Sequence, residues 1–256
     1  MCTVALLFRQ HPSFPLIIAA NRDEFYKRPA SAPERVRENP AILAGIDQLA
    51  GGTWMGLHEG GMAAGITNFR SVEEVPRSRG RLVLDVLTEG SVNRARSFLE
   101  GLDTAEFRPF NLWFGDGESL FVGYARTGKP LVMENVEPGV HILANDKLGV
   151  DVFDRERKMH ELTSICKKRS AQDIVSQLRS WLADHAGGTP SFSSPPAYRL
   201  ADQLEEKIAA TCVHTSEYGT CSSTIVLAGQ NEVQYFFAPG PPCSASFSIV
   251  ERVELT

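Results

Sequence analysis

Met1-Cys2-Thr3-Val4-Ala5-Leu6-Leu7-Phe8 opens the chain, and Pro15-Leu16-Ile17-Ile18-Ala19-Ala20-Asn21-Arg22-Asp23-Glu24-Phe25 follows after a turn at His11-Pro12-Ser13. Two apolar, β-prone runs around a short turn read as a hairpin. A hairpin of this length sets the end of its second strand beside the start of the first, so Asn21-Arg22-Asp23-Glu24 is expected near Cys2. Methionine aminopeptidase removes Met1 when the next side chain is small, which would leave Cys2 with a thiol and a free α-amine on one residue. With reference pKa values of about 8 for an α-amine and about 8.5 for a thiol, the pair is a base beside a nucleophile. A nearby Arg favours the thiolate, and a carboxylate can hold the proton of the α-ammonium. The plainer reading of the same residues is a buried terminal Cys and an Arg/Asp ion pair that fixes the following loop.

Working outward, Arg28-Pro29, Gly51-Gly52-Thr53-Trp54-Met55-Gly56, Gly65-Ile66-Thr67-Asn68-Phe69 and Arg79-Gly80 follow in order. After them come Phe110-Asn111-Leu112, Leu143-Ala144-Asn145 and Tyr218-Gly219-Thr220 with Thr224. With Met1-Cys2 and Asn21-Arg22-Asp23-Glu24-Phe25-Tyr26, this series resembles the NRDE family, also called the transport and Golgi organisation protein 2 family, over essentially the whole chain. The resemblance implies an α+β fold like that of the N-terminal nucleophile (Ntn) hydrolases: a four-layer αββα sandwich of two antiparallel sheets covered by helices. It brings no settled reaction. Eukaryotic members are associated with Golgi organisation, mitochondrial lipid metabolism and haem handling.

The 256 residues, 43% hydrophobic and 22% charged, suit one domain spanning 1–256. A formal net charge of −5, with no basic cluster interleaved with aromatics, argues against nucleic-acid binding. No apolar run reaches the ~20 residues of a membrane span and no signal peptide is evident, so a cytoplasmic protein is expected. Five scattered cysteines, Cys2, Cys166, Cys212, Cys221 and Cys243, form no disulfide framework. Cys212-x-His214 with Cys221 offers three soft ligands, but no paired spacing completes a zinc site; no metal and no cofactor are expected, haem being considered only as a bound ligand.

A Pro-, Arg- and Glu-rich loop is expected from Tyr26 to Pro40, then short strands at Ile42–Ala44, Thr53–Gly56 and Met62–Thr67. Helical spacing of Leu82, Val83, Val86 and Leu87, and of Val92, Ala95, Phe98 and Leu99, predicts two helices. More strands are expected between Asn111 and Leu143. Helices follow near Val152–Cys166, Ala171–Asp184 and Leu200–Ala210, the last two joined by a Gly/Ser/Pro-rich candidate mobile loop at 187–196. Strands at Ser222–Leu227, Glu232–Phe237 and Phe247–Leu255 finish the chain. Strand, helix, strand, helix, strand blocks fit the layered sandwich.

Asn68 and Asn145 each follow an apolar strand, where an amide N–H can serve a developing oxyanion or merely end the strand. Ala144-Asn145-Asp146-x6-Phe153-Asp154 also resembles a region of the choloylglycine hydrolases, which implies Asn145 as the better oxyanion donor. The spacing departs from that group's, and the partner of the terminal amine stays open among Asn21, Asp23 and Glu24. Many NRDE relatives carry Arg where this chain has Cys221. Gly51-Gly52-Thr53-Trp54 reads as a turn with an aromatic cap or as a pocket mouth. His58, His141 and His214 have no required role. The reading reached is an Ntn-type hydrolase of a small amide, thioester or acyl substrate. Cys2, Arg22, Asp23, Asn145 and Asn68 are its candidate catalytic residues, and Asn21, Glu24, Trp54 and Thr67 its candidate substrate contacts. The competing readings are a non-catalytic protein that binds haem or an acyl lipid, and a glutaminase-type amidotransferase.

Overall fold

β1 (Thr3–Phe8) and β2 (Leu16–Phe25) form the expected antiparallel hairpin, with Thr3 opposite Asn21 and Phe8 opposite Leu16. The structure, a computed structural model, describes residues 3–69, 77–148, 170–186 and 210–255. The helices expected near Val152–Cys166 and Leu200–Ala210 lie outside the described residues, save Ala210, as do the 187–196 loop, Met1, Cys2 and Cys166.

Alternation along the hairpin decides the layering, because successive strand residues face opposite sides of a sheet. Val4, Leu6, Phe8, Leu16, Ile18 and Ala20 face one apolar cluster; Ala5, Leu7, Ile17 and Ala19 face another. The hairpin is thus covered on both faces, and its near-continuous apolar runs follow from that. β2 does not stop at Ala20, where the apolar run ends. It continues through Asn21-Arg22-Asp23-Glu24 to Phe25 because β11 (Tyr218–Ala228) pairs along its full length.

β10 (Gly139–Leu143), β1, β2, β11, β12 (Glu232–Ala238) and β13 (Ser248–Glu254) make a six-stranded sheet in that order. A seven-stranded sheet runs in chain order: β3 (Glu34–Glu38), β4 (Ala41–Ala44), β5 (Met55–His58), β6 (Ala63–Asn68), β7 (Phe110–Gly115), β8 (Leu120–Ala125) and β9 (Val132–Asn135). β3 corrects the reading of Tyr26–Pro40 as a loop. It is an edge strand with mostly exposed charged side chains, so it contributes backbone pairing and little apolar signal. β5 and β6 begin two residues and one residue later than expected, after the Gly51-Gly52 and Gly60-Gly61 turns.

Between the sheets, Leu6, Leu16, Ile18, Leu57, Trp113, Leu120, Val226 and Tyr235 are fully buried. Burying each such aliphatic side chain contributes about 1.5–3 kcal/mol before entropy is charged. Helices α1 (Arg79–Thr88) and α2 (Val92–Glu100) cover the outer face of the seven-stranded sheet through Leu82, Val83, Val86, Leu87, Val92, Ala95 and Leu99. Ser91 caps α2 by accepting from the Arg94 N–H. Helix α3 (Ala171–Leu182) covers the six-stranded sheet with Ile174, Leu178, Trp181 and Leu182. The layers are helix, sheet, sheet, helix, an Ntn-hydrolase-like α+β sandwich. Along one side the edge strands of the two sheets are tied by Arg35 on β3, whose guanidinium donates to the Glu251 carboxylate on β13. Among the described residues, no helix is long and apolar enough to cross a membrane.

Candidate functional site

Pleating divides the Asn21-Arg22-Asp23-Glu24 quartet into two pairs. Arg22 and Glu24 line a cavity of about 350 Å³ at one end of the sandwich, while Asn21 and Asp23 point to the opposite face of β2. Asn21 is fully buried and its side chain is spent on the fold. Its amide donates to the carbonyls of Leu182 (2.9 Å) and Thr211 (2.8 Å), and its Oδ1 accepts from Ser223 Oγ (2.6 Å). Asp23, also buried, accepts from Thr220 Oγ1 at 2.7 Å, and its carbonyl accepts from the Tyr218 hydroxyl. A polar quartet can therefore sit inside a strand because β11 supplies Thr220 and Ser223 opposite it.

β11 carries a bulge at Cys221: Thr220 pairs with Asp23 and Ser222 with Arg22, leaving Cys221 as the extra residue. Bulges re-aim side chains and are frequent beside active sites. Cys221 is half-buried, with Sγ 3.5 Å from the Glu24 carbonyl. Burial pushes its thiol up, and the Arg22 guanidinium opposes that shift.

In the cavity wall, Arg22 is buried and its Nη2 is 3.4 Å from Asp47 Oδ2. Arg28 donates from Nε to the same oxygen at 2.7 Å and pairs with Glu24 at 3.4 Å. Sequence alone does not single out Asp47, since a lone Asp in a turn carries no motif. It caps its own turn, Oδ1 accepting from the N–H groups of Leu49 and Ala50. Burial alone would raise its pKa; the Ala50 N–H, Arg28 and the Leu49 N–H outweigh that and hold the carboxyl below the usual range.

Among the described residues, Arg77, Arg79 and Arg108 also line the cavity beside Arg22 and Arg28, with Glu24 and Asp47 as the lining carboxylates. Arg77 pairs with Glu106 at 2.8 Å and Arg79 donates to the Pro109 carbonyl at 2.9 Å. The N-terminus of α1 opens on it with Ser78, which makes no side-chain cap, and has no acidic residue in its first turn. Helix N-termini and arginines both favour anions. The two glycine motifs assemble this wall. A Cβ on Gly52 would lie 2.3 Å from the Gly80 carbonyl carbon, so only glycine admits the contact, sealed by the Thr53 N–H donating to the Gly80 carbonyl at 3.0 Å. Gly51 holds φ +66°, the left-handed turn conformation. Trp54 follows at the cavity edge and packs against the inter-sheet core.

Asn68 ends β6 and lines the cavity; its carbonyl accepts from the Asn145 amide, so the structure brings the two asparagines together. Thr67 lies on the other face of β6 from Asn68, buried, with Oγ1 accepting from Asn111 Nδ2 at 3.1 Å. Asn111, fully buried on β7, also donates to the carbonyls of Ala144 (3.2 Å) and Asp146 (2.9 Å), and its Oδ1 accepts from Arg126 Nη2 (2.8 Å). It therefore fixes the carbonyls on either side of Asn145. Its sequence signal is only its place in Phe110-Asn111-Leu112, since its partners on the Ala144–Asp146 segment are 33 and 35 residues away.

Cys212 and His214 do come together with further soft donors, but these are His185 and Cys243 rather than Cys221. Cys212 is buried, and burial, with the neighbouring Cys243, pushes its thiol up to about 12.

The Transport and Golgi organisation 2 family profile matches residues 1–238. The chain is 30% identical over 259 residues to a mouse (Mus musculus) Transport and Golgi organization 2 homolog, covering 90% of each chain. It is 27% identical to the human (Homo sapiens) homolog, covering 89% of this chain and 88% of that one. Among solved structures, the fold is similar to the C2A mutant of conjugated bile acid hydrolase from Clostridium perfringens, with a TM-score of 0.52 at 10% identity over 98% of this chain and 97% of that one. It is also similar to the Caenorhabditis elegans ortholog of N-acylethanolamine-hydrolyzing acid amidase, with a TM-score of 0.55 at 12% identity over 98% of this chain and all of that one (100%). At such identities the likeness is one of fold. By the profile match and the curated relatives, the chain belongs to the Transport and Golgi organisation 2 family.

Proposed function

We propose that this protein is an N-terminal-cysteine hydrolase that cleaves a small amide, thioester or other acyl substrate carrying an anionic group. The observation that carries the reading is the arginine-rich cavity lined by Arg22 and Glu24, on the strand whose neighbouring residue Asn21 pairs with Thr3. Cys2 is one peptide bond from Thr3. This reading takes Cys2 to continue the two-residue period of Val4, Leu6 and Phe8, which face the side of Arg22.

In this reading the Cys2 thiol gives its proton to its own α-amine as Sγ attacks the substrate carbonyl. The ammonium passes the proton to the leaving amine, alcohol or thiol as the bond to it breaks, leaving a thioester on Sγ. Water then adds, its proton taken by the amine, and the carboxylic acid departs as the thiol is restored. The Arg22 charge favours thiolate. Asn21, Asp23 and Glu24 each have a partner within the fold, so the group that holds the ammonium stays open among the three. Asn145 spends one amide hydrogen on the Asn68 carbonyl, and its other hydrogen is assigned to the oxyanion. The arginines and the α1 N-terminus take the substrate's carboxylate or phosphate, away from the reacting carbonyl. The name of the C2A bile acid hydrolase structure and the acid amidase name are in keeping with amide chemistry on this scaffold. A cytoplasmic location goes with the proposal.

The test is intact-mass analysis of the purified protein, and of Cys2→Ala, after exposure to chromogenic esters and amides with and without a carboxylate on the acyl chain. Loss of Met1, a transient acyl adduct mapping to Cys2, turnover favouring the anionic set, and loss of at least about a hundredfold in rate in a folded Cys2→Ala are expected. Retained Met1, or equal rates for Cys2→Ala, would sink the proposal and turn attention to non-catalytic binding of haem or an acyl lipid.

A further inference from the structure

His185 follows α3, Cys212 and His214 precede β11, and Cys243 follows β12, so four donor residues from three separate parts of the chain meet on the outside of the six-stranded sheet. All four donor atoms fall within 4.8 Å of one another. The Cys212 and Cys243 sulfurs are 3.8 Å apart, and His214 Nε2 lies 3.5 Å from the first and 3.3 Å from the second. Zinc–sulfur bonds of about 2.3 Å and zinc–nitrogen bonds of about 2.0–2.1 Å at tetrahedral angles place sulfurs about 3.8 Å apart and sulfur and nitrogen about 3.5 Å apart. These three edges are therefore those of one face of a tetrahedron around a zinc-sized ion, and His185, whose donor atom lies within 4.8 Å of the other three, is the residue available for the fourth corner.

From these edges and this donor set we infer that His185, Cys212, His214 and Cys243 form a structural zinc site. Two thiolates and two imidazoles suit zinc above hard cations such as calcium or magnesium, and four protein ligands leave no position for substrate. The His185 ring is held by a backbone contact. Its Nδ1 lies 3.2 Å from the Cys212 carbonyl, which selects the tautomer with Nδ1–H donating and Nε2 free to bind metal. The backbone around the ligands is pinned as well. The Cys212 N–H donates to the Asp184 carbonyl at 2.9 Å, and His214 bridges Gly219. Cys212 is buried whereas His185, His214 and Cys243 are exposed, so an ion can enter from solvent. As the two zinc–sulfur bonds form, both thiol protons leave to solvent.

The site would clamp the segment ending α3 to the segment entering β11, and these two segments supply the carbonyls of Leu182 and Thr211 that hold the Asn21 amide. Zinc binding would thereby brace β2 from the face opposite the arginine-lined cavity. This does not depend on whether Cys2 is a nucleophile.

Metal content of the full-length protein, purified under reducing conditions, is measured after dialysis against zinc and after chelation, with Cys243→Ser, His185→Ala and Cys221→Ser alongside. One zinc per chain is expected, with affinity lowered about tenfold or more in Cys243→Ser and His185→Ala and unchanged in Cys221→Ser. Cobalt in place of zinc should give the intense visible bands of a tetrahedral site and a near-ultraviolet sulfur-to-cobalt band that Cys243→Ser weakens. Cys243 and His185 are exposed, so both variants should keep the wild-type circular dichroism. No uptake by the reduced protein, uptake insensitive to Cys243→Ser, or a Cys212–Cys243 disulfide that leaves no metal capacity after reduction overturns the inference.

Discussion

Asn111 is the single residue on which most of the described hydrogen bonds around Asn145 converge. Truncation to Ala would strand two buried carbonyls and the Thr67 hydroxyl together, and take from Arg126 one of its three acceptors. Unpaired buried groups of this kind cost about 1–3 kcal/mol each and do not add fully, so Asn111→Ala should lower unfolding stability by about 3–5 kcal/mol. Its midpoint in urea should fall accordingly; a midpoint within error of wild type would mean that water replaces the amide at no cost. The importance of Asn111 is legible in the sequence only as a recurring string, because the partners that define it are distant along the chain. Arg22 differs. Its type and its place on the second strand suggest a buried cation near the start of β1, and the structure puts it there, 6% exposed. The division of Arg22 and Glu24 from Asn21 and Asp23 is not legible in the same way, since it follows from the quartet lying inside β2 rather than at its end. Asp47 escapes sequence reasoning because its partners, Arg22 and Arg28, give it meaning only in three dimensions.

Helices α1 and α2 are legible because one apolar face at 3.6-residue spacing is a local signal, whereas β3 is hidden because an exposed edge strand needs no apolar alternation. The β5–β6 hairpin carries a titration that can be isolated. His58 closes β5, is 8% exposed, and accepts the Gly60 N–H on Nδ1 at 2.8 Å, a bond that only the form with Nδ1 unprotonated makes. Burial lowers its pKa; Glu59 works against that and Arg94 with it. A histidine with a lowered folded pKa stays neutral in the native state while the unfolded chain takes a proton at about 6.5. The native state then has its full advantage above that pH and loses it as the pH falls toward the folded value. Chemical denaturation from pH 7.5 to 5 should show a steeper loss for wild type than for His58→Gln, whose carbonyl can keep the Gly60 bond. Parallel curves would show that His58 is solvated in both states.

At the scale of the whole molecule, layering is readable from the order of strand and helix blocks, but strand order is not. β1 pairs with β10 and β2 with β11, contacts that no local pattern announces. The consequence of this interleaving is that the six-stranded sheet cannot form from either half of the chain alone. The three tryptophans report on different regions: Trp54 at the cavity, Trp113 between the sheets and Trp181 on α3. Variants that retain one tryptophan each should share a single urea midpoint by fluorescence, as expected of one cooperative unit; separate midpoints would divide the chain into independently folding parts. The Arg35–Glu251 tie between β3 and β13 bears on a different property, the behaviour of concentrated solutions. Both sheets are open, and an open edge invites a neighbouring molecule to add its own strand. Charged side chains at Glu34, Arg35, Arg37 and Glu38, and at Glu251, Arg252 and Glu254, stand along these two rims. They make stacking of copies into fibrils electrostatically awkward, since a strand added at either rim would have to strip water from a row of charges.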